Sequence, residues 1–326
     1  MASHVRPAAA RSEGDASGGP DALVVARGLT KRFGELTAVD AIDFDVHTGE
    51  VFGFLGPNGA GKTSTMRMIG AVSPLTGGTL QVLDRDPATD GAEIRARLGV
   101  VPQENTVDEE LSVTDNLYIY GRYFGMPRAQ VRRRIPELLE FAQLTDRADD
   151  KVTVLSGGMK RRLVIARALI NTPSMVLLDE PTTGLDPQAR HLVWDRLHEL
   201  TRQGVTLLLT THYMDEAEQL CDRLVVMSDA TIVAEGSPRE LIATYAGREV
   251  LEVRFPPGHR YAGWTGLDGI GSRREVLADR VIIYGDDAEQ LTSAVTHSGV
   301  EVASMLVRRA SLEDVFLRLT GRRLIE

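Results

Sequence analysis

The segment Gly56–Ser64 constrains the fold more than any other part of the chain. It reads Gly-Pro-Asn-Gly-Ala-Gly-Lys-Thr-Ser. The largely apolar run Glu50–Leu55 before it predicts a buried strand, and the spacing of apolar residues after it predicts a helix over Lys62–Gly70. A strand, a glycine-rich loop and a helix together form the context in which this motif cradles nucleotide phosphates. With both flanking elements present, a chance glycine-rich turn is the weaker interpretation.

The residue types of this loop suit phosphate binding. Glycines let backbone N–H groups turn inward around an anion, and the start of the following helix adds positive potential. Lys62 is predicted to reach the β- and γ-phosphates, and the Thr63 hydroxyl is predicted to ligate Mg²⁺. The predicted ATP-binding residues of the loop are Gly56, Pro57, Asn58, Gly59, Ala60, Gly61, Lys62, Thr63 and Ser64.

Two carboxylates follow a second apolar run. Ser174–Leu178 reads as a strand, and Asp179 and Glu180 come directly after it. In a chain with a phosphate loop, Asp179 is predicted to hold Mg²⁺ through water, and Glu180 to polarise the attacking water as general base. The alternative is an acidic cap on the helix that starts near Pro187, but a cap does not explain why an apolar strand ends in Asp-Glu.

The order of further motifs over about Leu23–Leu241 resembles the ATP-binding subunit of an ABC transporter. Leu155–Met159 reads Leu-Ser-Gly-Gly-Met and is similar to the family's signature, while Gly184-Leu185-Asp186 is similar to its D-loop. The other matches are Gln103 at the Q-loop, after the predicted strand Leu98–Val101, His212 at the switch histidine and Phe33 at the adenine-stacking aromatic.

This resemblance implies a site that two copies complete. Ser156, Gly157 and Gly158 are expected to face the γ-phosphate of an ATP held by the partner, and Asp186 is expected to be one of the ATP-binding residues. The implied catalytic residues are Glu180, His212 and Gln103, and the implied metal ligands are Thr63, Gln103 and Asp179. For His212, a satisfied structural histidine is the alternative.

Two positions depart from the family pattern. The signature ends in Met159 rather than Gln, which removes a polar side chain, yet the serine and glycines that would contact ATP remain. The aromatic is Phe33 rather than Tyr, and stacking on adenine needs a ring face rather than a hydroxyl.

The predicted fold class is α/β. It consists of a P-loop NTPase parallel sheet with an antiparallel β subdomain and a helical insertion, followed by a small C-terminal α+β domain. The predicted domains are a disordered tail over 1–21, an ABC ATP-binding domain over 22–246 with its helical subdomain at about 104–160, and an accessory domain over 247–326. The basic runs Arg132–Arg134 and Lys160–Arg162 lie on predicted helices and are interpreted as solvated faces, with a surface near lipid headgroups or a permease as the alternative.

Composition limits the partners. The formal net charge of −9 over 326 residues argues against a dedicated nucleic-acid binder. The longest apolar runs are strand-sized, far short of the ~20 residues that span a bilayer. The chain has one cysteine, Cys221, so it forms no internal disulfide and suits a reducing compartment. We expect a peripheral protein at the cytoplasmic face of the membrane.

The C-terminal sequence narrows the resemblance to exporters. Ser311–Gly321 is similar to the tail of ATP-binding subunits in the daunorubicin and multidrug exporter branch, and Gly121–Met126, Leu155–Ala168 and Leu220–Leu224 resemble the nodulation-factor exporter subunit. The resemblance implies a homodimer or heterodimer that uses ATP and Mg²⁺ to export a drug, lipid or other amphiphilic compound through a separately encoded permease. An importer ATPase, a soluble ABC ATPase acting on nucleic acid or the ribosome, and a regulatory nucleotide-binding module remain alternatives.

Overall fold

The computed structural model describes residues 6–7, 21–256, 267, 269–277 and 279–321. The chain divides into two compact units, one over Arg6–Glu235 and one over Gly236–Glu326. No helix among the described residues combines the length and the apolar character needed to cross a membrane. Of the predicted tail over 1–21, only 6–7 and 21 fall within the described ranges.

The larger unit alternates strands and helices along most of its length. Its elements are β1 Arg6–Pro7, β2 Ala22–Phe33, β3 Leu36–His47, β4 Val51–Leu55, α1 Lys62–Ile69, β5 Gly77–Val82, α2 Gly91–Ala96, β6 Leu98–Val101, α3 Val113–Tyr123, α4 Arg128–Ala142, α5 Gly157–Ala168, β7 Met175–Asp179, α6 Pro187–Arg202, β8 Thr206–Thr211, α7 Met214–Leu220, β9 Arg223–Ser228 and β10 Thr231–Gly236, with 3₁₀ turns at Thr145–Arg147 and Val152–Val154.

A seven-stranded sheet runs through this unit in the order β1-β10-β9-β4-β8-β7-β6. Strands β6, β7, β8, β4 and β9 pair in parallel, and β4 and β8 are buried along their whole length, as expected for strands covered on both faces. Leu55 pairs with Thr211, and Asp179 pairs with Thr210. The carboxyl ends of three neighbouring strands therefore meet at one edge, where ligands bind in open α/β sheets.

The antiparallel subdomain is a three-stranded sheet in the order β3-β2-β5. Its inward residues share one apolar core with β4 and α1, in which the rings of Phe44, Phe52 and Phe54 contact one another with centroids 5.1–6.0 Å apart. This core holds the strand before the phosphate loop and the helix after it in fixed positions, which confirms the predicted strand-loop-helix arrangement.

The helical insertion consists of α3, α4 and α5, which pack pairwise. Ser112 caps α3 by accepting a hydrogen bond from the Asp115 backbone N–H at 3.0 Å. Buried Asn116 ties the preceding loop to this helix through the Asp108 and Ser112 carbonyls, at 2.9 and 3.0 Å. The first helix of the insertion is thus anchored at its N-terminus by side-chain hydrogen bonds.

The second unit is a small α+β structure. It contains α8 Pro238–Tyr245, β11 Glu249–Arg254, β12 Arg273–Val276, β13 Arg280–Gly285, α9 Ala288–His297, β14 Ser304–Arg309 and α10 Leu312–Thr320. The four strands form an antiparallel sheet in the order β12-β13-β11-β14. Helix α8 packs on α10, and Arg318 donates to the Tyr245 carbonyl at 2.5 Å.

Some boundaries differ from the sequence expectations. The compact units divide before α8 rather than at the predicted 246/247, because α8 packs against α10 of the second unit. Strand β7 spans Met175–Asp179, one residue later than the predicted strand Ser174–Leu178. The sequence reading also missed α2 and β10.

Candidate nucleotide site

The loop between β4 and α1 needs its glycines for two physical reasons. Gly59 and Gly61 have φ of +84° and +104°, in the region that disfavours side chains. A Cβ atom at Gly56 would lie 2.4 Å from the Met227 carbonyl oxygen, and one at Gly61 would lie 2.4 Å from the Ala38 carbonyl oxygen. The backbone of the loop is packed so closely that only glycine fits, which leaves a cradle of the kind that receives phosphates.

Lys62 is a buried cation at the centre of this cradle. Its side chain is 4 % exposed, and Nζ donates to the carbonyls of Gly56 and Pro57 at 2.7 and 3.0 Å. Burial lowers the pKa of Lys62, while the carboxylates of Glu180 and Asp179 act in the opposite direction. Because these contacts are to the loop itself, the ammonium is positioned for an anion seated in the loop.

Thr63 and Asp179 meet as a magnesium site requires. The Thr63 hydroxyl donates to Asp179 Oδ1 at 3.2 Å, and Thr210 Oγ1 donates to the same oxygen at 2.5 Å. A hydroxyl and a carboxylate beside a phosphate cradle are the oxygen ligands that Mg²⁺ uses with nucleotides. These residues therefore fit Mg²⁺-ATP, with Thr63 and Asp179 toward the metal.

Glu180 lies among the other predicted catalytic residues. Its Oε2 accepts hydrogen bonds from Gln103 Nε2 at 3.0 Å and Thr183 Oγ1 at 3.1 Å, and its Oε1 is 3.7 Å from Lys62 Nζ. Its φ is +45°, an unusual backbone conformation for a residue with a side chain. Thr210 holds that conformation, because the Glu180 N–H donates to its carbonyl and hydroxyl oxygens at 3.1 and 3.0 Å. Strain of this kind is concentrated at functional sites.

His212 completes the group at the end of β8. Its Nδ1 lies 3.2 Å from Glu180 Oε1, yet the geometry is not that of a hydrogen bond, and this buried nitrogen has no hydrogen-bond partner among the residues that the structure describes. The ring packs on Tyr213 with centroids 4.1 Å apart. A buried ring nitrogen without a partner is uncommon, and it does not match the alternative of a satisfied structural histidine.

The signature residues lie at the exposed start of α5. Ser156 caps this helix by accepting from the Met159 N–H at 3.3 Å, and a Cβ atom at Gly157 would meet nothing within 4 Å. Among the described residues, no hydrogen bond or ion pair joins 156–159 to the phosphate loop of the same chain. A Cβ atom at Gly158 would lie 3.0 Å from Cβ of Ala189 at the start of α6.

The two remaining predicted ATP contacts lie elsewhere on this unit. Asp186 caps α6 by accepting from the Ala189 N–H at 2.9 Å, so it has a structural role besides the predicted one. Phe33, at the end of β2, is 53 % exposed, and Lys31 Nζ lies 4.8 Å from its ring centroid. The exposed ring is available for stacking, and the roles of both residues toward ATP stay predictions.

The interpretation of Lys160–Arg162 as a solvated face is wrong for two of its three residues. Arg161 and Arg162 are 3 % and 8 % exposed, whereas Lys160 points outward to Glu109 at 2.7 Å. The sequence spacing could have indicated that Arg161 is buried, because it shares a helix face with the apolar Ile165, one turn further along α5. The sequence reading also missed Thr210 and Thr183, since a hydroxyl beside a carboxylate has no sequence signature. In the other basic run, Arg132 and Arg133 are exposed.

The comparisons with known proteins agree with this geometry. The family model described as "ABC transporter" matches residues 39–183, and the one described as "Nodulation factor export protein NodI, C-terminal domain" matches residues 261–321. A Nod factor export ATP-binding protein I from Ralstonia nicotianae is 47 % identical over 93 % of this chain and 95 % of its own length. The protein of the same name from Paraburkholderia xenovorans is 46 % identical over 93 % of this chain and 98 % of its own.

Solved structures of ATP-binding cassettes share the fold. A part of the ABC transporter complex cbiONQ from Clostridium perfringens superposes with a TM-score of 0.64 at 26 % identity, over 68 % of this chain and 91 % of that one. A dimeric cassette in a post-hydrolysis state, bound to ADP and Pi, superposes with a TM-score of 0.60 at 27 % identity, over 66 % of this chain and 98 % of that one.

Proposed function

This chain belongs to the ATP-binding subunits of ABC exporters, which bind ATP with Mg²⁺ and hydrolyse it, and we propose that it powers export of an amphiphilic compound through a separate membrane permease. The observation that best supports ATP hydrolysis is the position of Glu180. Its carboxylate lies between Lys62, Gln103 and His212, at the sheet edge where the phosphate loop begins.

These side chains divide the work of hydrolysis. Lys62 and the loop N–H groups hold the phosphates, and Thr63 with Asp179 would hold Mg²⁺, which neutralises charge on the phosphate oxygens. Glu180 accepts a proton from the attacking water, and Gln103 fixes the direction of that carboxylate. His212 lies beside this carboxylate, with Nδ1 3.2 Å from Glu180 Oε1, and its imidazole is proposed to donate to a γ-phosphate oxygen. Together these side chains accelerate hydrolysis by positioning the reactants and by stabilising charge in the transition state.

The second half of each site is proposed to come from a partner copy. The signature at the start of α5 is exposed and makes no hydrogen bond to its own phosphate loop in the part of the chain described. Helix N-termini bind anions through their free N–H groups and positive potential. The free N–H groups at Ser156–Gly158 would therefore bind the γ-phosphate of the ATP that the partner holds. The dimeric cassette with bound ADP and Pi described above supports this arrangement.

A cavity of about 760 Å³ beside Gln103 supports coupling to a permease. Its lining includes the Gln103 loop and the aromatic residues Tyr120, Tyr123 and Phe124 of the helical insertion, and Tyr123 is 80 % exposed. A concave, aromatic surface touching the catalytic glutamine suits a cytoplasmic segment of a membrane protein. We place this chain peripherally at the cytoplasmic face of the membrane, where closing and opening of a homodimer or heterodimer moves the permease.

The exported compound is proposed from similarity. The relatives are named for Nod factor export, and the C-terminal match is to the model described for that export protein. These names favour export over the importer and over the ATPase acting on nucleic acid or the ribosome. The resemblance to the daunorubicin and multidrug branch, with drug export, stays a prediction.

Replacing the general base tests this function. We expect Glu180→Gln to lower kcat for ATP hydrolysis by about 10²-fold or more, because an amide cannot accept the proton from water. ATP binding remains, so the variant should accumulate as an ATP-bound dimer in sedimentation velocity. Glu93→Gln, at an exposed carboxylate paired with Arg85, is the matched control and should behave as the parent. A Glu180→Gln protein that hydrolyses ATP at the parental rate would reject the assignment.

A further inference from the structure

Arg161 joins two catalytic segments of the chain. It lies one turn inside α5 and is 3 % exposed. All five guanidinium N–H groups are matched by backbone carbonyls, the full donor capacity of an arginine. Nε donates to Pro181 at 2.6 Å, Nη1 to Pro102 and Gln103 at 2.5 and 3.2 Å, and Nη2 to Asp179 and Glu180 at 3.2 and 3.3 Å.

This arginine is not a conventional ion-pair partner. No carboxylate of a described residue lies within 4 Å of its guanidinium, although burying an unpaired charge is costly. Burial lowers the pKa of Arg161 to about 10, and the more distant charges of Glu216 and Asp179 act in the opposite direction. The side chain is therefore a cation at neutral pH. Its contacts are charge-assisted hydrogen bonds, which hold their acceptors more firmly than neutral ones.

Its neighbours on α5 do not share this role. Lys160 pairs with Glu109 on the surface, and Arg162 donates through Nε to the Ala142 carbonyl at the end of α4. Arg167 Nη2 donates to Thr106 Oγ1 at 2.7 Å, three residues after Gln103. Arg161 is the member of the run Lys160–Arg162 whose contacts reach the backbone of Gln103 and Glu180.

We propose that Arg161 is a positioning residue. It couples binding of the partner's γ-phosphate at the signature to the position of the general base Glu180 in the same subunit. Helix α5 begins with the signature, so a γ-phosphate held there by the partner fixes the helix and, through Arg161, the carbonyls of Gln103 and Glu180. Occupancy of one ATP site thereby sets the geometry of the catalytic residues at the other. This inference rests on the proposed two-copy function.

The test combines hydrolysis and dimerisation of the full chain. Arg161→Gln should lower kcat about 10²-fold, since small misplacements of catalytic groups have effects of that size, while the KM for ATP changes less than about threefold. Its Hill coefficient for ATP should fall to one from a parental value above one. In the Glu180→Gln background, ATP should still drive dimerisation of the Arg161→Gln protein, because the phosphate loop and the signature are intact.

Arg162→Gln is the matched control, since it removes a buried arginine from the same helix without touching the catalytic segments. It should keep the parental kcat and Hill coefficient. Parental kcat and cooperativity in Arg161→Gln would overturn the inference, as would loss of ATP-driven dimerisation, which indicates general damage to α5. If the parent protein hydrolyses ATP with a Hill coefficient of one, this inference is overturned and the proposed function still stands. A parent without ATPase activity would overturn the proposed function as well.

Discussion

Lys62 carries its charge in a place that water hardly reaches. Its Nζ is held by two loop carbonyls, with Glu180 3.7 Å away. The cost of burying this ammonium is offset by those contacts and by the two nearby carboxylates. Nucleotide phosphates add an anionic partner to a cation that is already desolvated, which strengthens the interaction.

Truncating this side chain should therefore weaken nucleotide binding. We expect Lys62→Ala to raise the Kd for Mg²⁺-ATP by about 10- to 100-fold, the effect of losing hydrogen bonds to a charged group. Fluorescence titration with a labelled ATP analogue measures the change. Lys151→Ala removes an exposed lysine that pairs weakly with Glu110, and it should leave Kd unaltered. Equal affinities for parent and Lys62→Ala would count against the loop assignment.

Residues whose role depends on sequence spacing were predictable, and residues whose role depends on tertiary contact were not. Gly56–Ser64 and Asp179–Glu180 follow from a loop or carboxylates at the end of an apolar strand, and the structure brings them together. Thr210 was missed because its contact with Asp179 depends on β7 lying beside β8. Arg161 was missed because a charged run was taken as a surface, although its helix face is otherwise apolar.

At the scale of elements, Asp186 is a helix cap as well as a predicted ATP contact. Its carboxylate accepts from the Ala189 N–H, and Pro187 occupies the first position of α6. We expect Asp186→Ala to lower the free energy of unfolding by about 1 kcal/mol, the usual cost of losing a cap. Asp186→Asn should cost less, because asparagine caps helices equally well. Thermal unfolding of both variants checks this, and equal losses would show that the charge rather than the cap stabilises the helix.

In the second unit, an ion pair joins β14 to α10. Arg308 donates to both carboxylate oxygens of Asp314 at 2.7 and 2.8 Å, and Asp314 is 2 % exposed. The Tyr284 hydroxyl donates to the same carboxylate at 3.2 Å. Burial raises the pKa of Asp314, but the hydrogen bonds from Arg308 and from the Ser311 N–H outweigh it, so the pKa lies below its ordinary value.

This lowered pKa fixes the sign of a pH dependence. A carboxyl whose pKa is lower in the folded state contributes stability above its unfolded pKa of about 4 and loses it as the pH falls through the folded value. Asp314→Asn should cost about 2 kcal/mol at neutral pH, the loss of charge-assisted hydrogen bonds, and much less in acid. Denaturant unfolding at several pH values measures this. Asp279→Asn, at an exposed pair with Arg280, should show little effect, and a pH-independent loss in Asp314→Asn would contradict the account.

The strand and helix around the phosphate loop follow from apolar spacing in the sequence, whereas boundaries that depend on tertiary packing do not. Helices α3 and α9 follow the apolar spacing of their sequences. The position of α8 depends on its contact with α10, which lies far along the chain, so the sequence placed the domain boundary after it. Strand β14 pairs with β11 along its whole length, and that pairing, rather than its own composition, sets its ends.

At the scale of the whole molecule, the central claim is that the catalytic site is completed by a second copy. The two halves lie on different parts of the larger unit: the phosphate loop is at the end of β4, and the signature is at the exposed start of α5. A ligand that binds the closed dimer better than the open protomers shifts the equilibrium toward closure. We propose that ATP is that ligand, because in a closed dimer it would contact both halves at once.

Gly157 offers the most direct test. A side chain there meets nothing within 4 Å, so Gly157→Asp should fold as the parent does and place a negative charge where the partner's γ-phosphate is expected. Sedimentation velocity of Glu180→Gln with ATP should show a dimer, whereas Glu180→Gln/Gly157→Asp should bind ATP and stay monomeric. Val154→Asp, at a 64 % exposed site, is the control and should still dimerise. ATP-driven dimerisation of the Gly157→Asp protein at parental affinity would contradict a site completed in trans.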